Sequence, residues 1–149
     1  MSKPAMSDSS YDRDFYAWAN EQAALLRAGK LGEADLAHIA EEIESMGKTE
    51  KRELVSRLTV LLLHLLKWRY QPEFRSTSWR LSVEEQRIHV ASHLADNPSL
   101  KSLLPTAVAE SYRLAVIGAR RETGLSGDTF PAACPCSFDE MMNDEFWPD

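Results

Sequence analysis

Between Leu58 and Arg80 the chain reads LTVLLLHLLKWRYQPEFRSTSWR, and this stretch limits the fold more than any other. At about 100° per residue, Leu58, Leu61, Leu62 and Leu65 share one side of a helix while Val60 and Leu63 project opposite. A helix with two apolar sides has to be surrounded by other helices, so this one is expected at the centre of the fold. The apolar run Val60 to Leu66, interrupted by His64, is far short of the roughly 20 residues that span a bilayer. No membrane association is expected. Pro72 disfavours helical dihedrals in the residue before it and should end this helix near Tyr70.

Helical spacing accounts for most of the remaining chain. Tyr11, Phe15, Trp18, Gln22, Leu25 and Leu26 share a face, and Gly29 supplies a stop, predicting a helix over 11–28. A second is predicted over 33–46, ending at Gly47, with Leu36, Ile39, Ala40 and Ile43 inward. The third starts near Lys48. Ser82 and Glu85 have the spacing of a capping box that opens a fourth, with Ile88, Ala91, Leu94 and Ala95 on its inner side. A short helix with Pro98 at its first position leads into a long one ending at Gly124. On that helix Val108, Ser111, Tyr112, Ala115 and Ala119 form a face of small residues, while Leu114 and Ile117 point elsewhere, as for a contact with another subunit. Pro131 and Pro135 make the tail irregular, and Ser137 with Glu140 predicts one capped turn.

No stretch alternates with period two for long enough to predict a strand. The expected fold is all-α, a single-domain bundle of about five helices around the central apolar helix, over residues 10–149, with residues 1–9 disordered and an irregular C-terminal tail. A chain of 149 residues is long enough to bury a core without staples. The two cysteines, Cys134 and Cys136, lie so close in sequence that a bridge would close a small strained ring. Both are expected as reduced thiols in a cytoplasmic protein, and the polar N-terminus MSKPAMSDSS does not read as a signal peptide.

Net charge is −6, yet residues 47–80 hold eight bases and three acids, net +5, leaving −11 on the rest. An acidic chain repels polyanions at long range, which argues against nucleic acid as a partner. The basic segment interleaves Trp68, Tyr70, Arg75, Trp79 and Arg80, a pattern able to stack on bases, to bind a protein or small anion, or to dock on the chain's own acidic parts. His64 in the apolar helix needs partners for both ring nitrogens if buried. Glu41, Glu42 and Glu44, with Asp35 and His38 before them, could hold a divalent cation or form a solvated face. His89 and His93 are four residues apart, a spacing that can place two imidazoles on one metal, although two exposed ligands hold metal weakly. No glycine-rich phosphate loop, nucleophile elbow or HExxH occurs, so neither catalytic residues nor a cofactor are predicted.

The segments YDRDFYAWANEQAALLR, LAHIAEEIESMG, HLLKWRYQPE, SWR, NPSL, RETG and FPAACP, in this order, resemble the bacterial family catalogued as domain of unknown function twenty-nine. The resemblance covers residues 11 to about 148 and implies an all-helical bacterial protein. It lends no activity and no catalytic residues. Cys136 departs from the family pattern, so paired-thiol chemistry is not part of what the resemblance implies. The expected function is therefore a non-enzymatic helical module acting through a protein partner, with self-association as a further expectation. The alternative is a metal-dependent enzyme or sensor centred on His64 and the carboxylates of the second helix.

Overall fold

The computed structural model describes residues 6–149, and among them every regular element is helical. The helices are α1 (Met6–Arg13), α2 (Phe15–Arg27), α3 (Leu36–Tyr70), α4 (Thr77–Asp96), α5 (Leu104–Thr123) and α6 (Phe138–Met142), with short 3-10 turns between them. This is the expected all-helical bundle with a long central helix. Of the nine residues expected to be disordered, 1–5 lie outside the described ones, and the backbone of 6–9 belongs to α1. No described helix is long and apolar enough to cross a membrane. The packing divides into two compact units, one ending at Lys48 and the other Thr49–Asp149.

Three boundaries differ from the sequence reading. The predicted helix over 11–28 is broken at Asp14, whose side chain leaves the helical path to accept the Ala17 N–H at 3.1 Å and cap α2. The predicted stop at Gly47 is absent, and α3 runs through it for 35 residues. Among the described residues positive φ occurs only at Gly29 and Gly124, both at 74°, where α2 and α5 end. Gly47 keeps helical dihedrals because the following Lys-Thr-Glu-Lys-Arg-Glu contains no proline and continues the helix readily. α4 begins at Thr77, earlier than the Ser82 box, because Ser76 Oγ already accepts the Trp79 N–H at 3.2 Å.

In the first unit, Trp18 and Gln22 of α2 are buried, and the chain turns through Gly29 into α3. Here α3 faces opposite to expectation. Leu36 and Ile43 are 52% and 64% exposed and Ala40 is also exposed, whereas Asp35, His38 and Glu42 are half-buried. Only Ile39 of the expected inward set is half-covered. The inversion follows from α1 and α2, which present the Tyr11 phenol, the Trp18 indole and the Gln22 amide, groups that only polar residues at the start of α3 can satisfy.

The second unit is built on the rest of α3. Leu54, Leu58, Leu61, Leu62, Leu65 and Leu66 are buried, together with Val83, Val90 and Leu94 of α4 and Ala107, Tyr112, Ala115 and Ala119 of α5. Each buried leucine contributes roughly 2 kcal/mol, so this helix dominates the unit's stability. The small face of α5 lets it come close: a Cβ on Gly118 would sit 3.3 Å from Leu63 Cδ1. Ser111, fully buried, donates to the Ala107 carbonyl at 2.6 Å and lies 3.2 Å from that of Val55. Leu114 and Ile117 are about half exposed, as expected of residues pointing away. α4 departs from expectation. Its inner face is Val83, Gln86, Arg87, Val90 and Leu94, and Ile88 is 68% exposed. The tail, with the Ser137–Glu140 capping box formed as predicted, packs on this core through Phe130, Met141 and Phe146.

Candidate functional site

Asp35 organises the polar interior of the first unit. Standing just before α3, it caps the helix through Oδ1, 3.4 Å from the His38 N–H. Its other oxygen accepts the Trp18 indole N–H at 3.1 Å and lies 2.7 Å from His38 Nδ1, while its own N–H donates to Gln22 Oε1 at 2.7 Å. Burial alone would raise the carboxyl pKa. The hydrogen bonds from His38 and Trp18 outweigh it and hold the group below its ordinary value.

An aromatic wall closes over this network. Tyr11 stacks on the His38 ring at 3.9 Å and packs edge-on against Trp18 at 4.8 Å and Phe15 at 5.7 Å. The Tyr11 hydroxyl donates to Glu42 Oε1 at 2.7 Å, which keeps its proton on and pushes its pKa up to about 12. Of the predicted acidic set, the structure thus brings Glu42 into the cluster with Asp35 and His38, while Glu41 and Glu44 are exposed. Among the described residues no three His, Cys, Asp or Glu side chains are grouped so as to hold a metal ion. The arrangement is a clamp: its donors and acceptors are spent on fixing α1 and α2 to the start of α3.

The basic and aromatic segment predicted as a binding surface is engaged with the C-terminal tail. Trp68 is buried and packs on Trp147 at 4.6 Å. Arg80 lies over the Trp147 ring at 4.7 Å, and Arg75 lies over Trp68 at 5.0 Å while donating to the Trp68 carbonyl at 2.7 Å. Tyr70 meets Phe130 edge-on at 5.1 Å. Trp79 covers Lys67, whose ammonium sits 4.7 Å above the indole ring and 2.7 Å from Glu122 Oε1. Within the second unit, Trp68, Arg75 and Arg80 therefore sit together, while Tyr70 pairs with Phe130 and Arg69 and Trp79 pairs with Lys67. Trp68, Tyr70, Arg75 and Arg80 also meet residues of the tail between 130 and 148.

His64 is half-buried, beside Val60 on the less covered side of α3, and its Nδ1 donates to the Val60 carbonyl at 2.8 Å. His89 and His93 serve separately: His89 lies 3.6 Å from Glu85, and His93 Nε2 donates to the Glu50 carbonyl at 2.8 Å.

Sequence reasoning missed Arg87. It is 3% exposed, donates through Nε to the Met141 carbonyl and through Nη2 to the Phe146 carbonyl, both at 2.8 Å, and lies over Trp147. Its Nη1 is buried without a hydrogen-bond partner among the described residues. Burial lowers its pKa, against the pull of Asp144 and Glu84. The signal available was the position: Arg87 lies one helical turn from Val83 and from Val90, on one face of α4.

The family described as Domain of unknown function DUF29 matches residues 10–147. No curated protein and no solved structure matches the chain. With nearly its whole length spanned, and with the helical fold just described, the chain belongs to the DUF29 family.

Proposed function

We propose that the protein is a non-enzymatic interaction module of the bacterial cytoplasm, and that it works by seating an amphipathic helix of a protein partner on the outward stripe of α3. One observation carries this reading: the first part of α3 turns its polar side to its own neighbours and leaves its apolar side open. Leu36, Ile43 and Met46 are 52%, 64% and 68% exposed. With half-buried Ile39 they repeat at three- and four-residue intervals, the spacing of a helix-pairing seam. Ala40 and Gly47 lie along the same stripe, and a Cβ on Gly47 would meet nothing within 4 Å, so a partner backbone could come close.

Charge supports the choice of partner. The sequence up to Lys48 carries nine acids against five bases, net −4, with Glu44 bordering the stripe. A helix with a basic rim complements this field, and a second copy of the same surface repels it. The stripe covers about 15 Å at 1.5 Å per residue, roughly one and a half heptads, which suits a transient complex better than a permanent one.

Extract of the native host passed over the immobilised wild-type chain and over the double variant Ile43→Asp, Met46→Asp tests this. A protein retained by the first and lost from the second, cross-linking to a photoreactive residue at position 40 through a basic amphipathic helix, is the expected result. The same proteins on both columns would overturn it.

A further inference from the structure

The two thiols of the tail are arranged as a reactive pair. Cys134 Sγ lies 4.0 Å from Cys136 Sγ and 3.3 Å from the Cys136 carbonyl oxygen, and both residues are half-buried. Cys136 lines a cavity of about 40 Å³ with Leu62, Leu66, Arg69, Tyr112 and Phe146. Bonding distance, near 2.05 Å, is about 2 Å shorter than the separation of the two sulfurs. The buried guanidinium of Arg87, its Nη1 unpaired among the described residues, lies near enough to favour a thiolate at Cys136.

We propose that Cys134 and Cys136 form a redox-active dithiol that hydrogen peroxide oxidises reversibly to an intramolecular disulfide. Cys134 is the attacking thiol and Cys136 the resolving one. The Cys134 thiolate attacks one peroxide oxygen, the O–O bond breaks, and the departing hydroxide takes a proton to become water, leaving a sulfenic acid on Cys134. The Cys136 sulfur then attacks the Cys134 sulfur and gives up its proton. The S–O bond breaks and the oxygen leaves as a second water. Two thiols lose two electrons and one peroxide gains them.

Either sulfur can give the hydrogen bond that joins the pair, and with Cys136 keeping its proton Cys134 is the one that ionises first. Hydrogen bonding from Cys136 draws the Cys134 pKa down to about 7, and the same bond, with burial, pushes that of Cys136 up. Glu140 opposes ionisation of both, Arg87 favours it at Cys136, and Tyr112 and Arg69 stand at the cavity. A disulfide closing so small a ring is strained, and strained disulfides are the readily reduced ones. The same short spacing that rules out a structural staple makes the bond reversible.

The test is stoichiometric hydrogen peroxide on the full chain, read by intact mass and thiol count, folded and in urea. The folded wild type should lose two thiols and two hydrogens per chain without dimerising, with a rate rising through pH about 7. Cys136→Ser should stop at a sulfenic acid trapped by dimedone, and Cys134→Ser should react about tenfold more slowly than wild type. Added dithiothreitol should restore both thiols. Equal rates for the two variants, equal rates for folded and unfolded chain, or oxidation past sulfenic acid without a disulfide would each overturn the proposal.

Discussion

His64 within α3 and Asp35 just before it show how differently two polar residues can be held. His64 donates to a carbonyl of its own helix, and that carbonyl keeps its backbone hydrogen bond when the ring is removed. His64→Leu should therefore change stability by less than about 1 kcal/mol, measurable in denaturant melts; a larger loss would reveal a network beyond Val60. Asp35 joins an indole, an imidazole, a side-chain amide and a helix N-terminus. Its folded pKa lies below the unfolded value, so the unfolded chain takes up the proton first. Its contribution is fully present above about pH 4 and disappears as pH falls through the depressed folded value. The Trp18 indole N–H resonance should follow this titration, with a midpoint below the ordinary carboxylate range, and should lose it in Asp35→Asn.

At the scale of elements, α3 decides most of the architecture and also marks where the sequence is hard to read. The central segment was legible because Leu58 to Leu66 carry apolar side chains on opposite sides of the helix. The stop at Tyr70, the αL glycines 29 and 124 and the Ser137–Glu140 box were legible because each is a local device. The face of α3 before Gly47 was not, because apolar periodicity does not reveal that a neighbour offers Trp18, Gln22 and Tyr11. Gly47 misled for a related reason: a glycine reads as a stop unless the helix-forming residues after it are weighed. Since its dihedrals are helical and its surroundings open, Gly47→Ala should stabilise the chain by about 0.5–1 kcal/mol in thermal or denaturant melts. The same methyl group would stand in the path of a partner backbone and should weaken the complex. Stabilisation with unchanged binding would move the contact away from this stripe.

Over the whole molecule, charge and chain closure divide the work. The basic segment, legible as an aromatic and cationic surface, packs on the tail through Arg80 over the Trp147 ring and Arg75 donating to the Pro148 carbonyl at 3.5 Å. The sequence held both halves of this match, but only the fold shows Arg87 fastening the Met141 and Phe146 carbonyls. With these cations engaged and the net charge at −6, oligonucleotide binding should be absent between 50 and 200 mM salt. Micromolar affinity that weakens with salt, and with Arg75→Ala or Arg80→Ala, would contradict that assignment. The central claim is that α3 offers its apolar stripe to a basic helix, and a nuclear magnetic resonance titration with a designed amphipathic helix, leucines on one face and lysines flanking them, tests it most directly. Shifts should centre on the amides of Leu36, Ile39, Ile43 and Met46, and Ile43→Asp should abolish binding even though it adds negative charge. Shifts centred on residues 67–80 instead, or an Ile43→Asp chain that binds the probe as tightly as wild type, would contradict it.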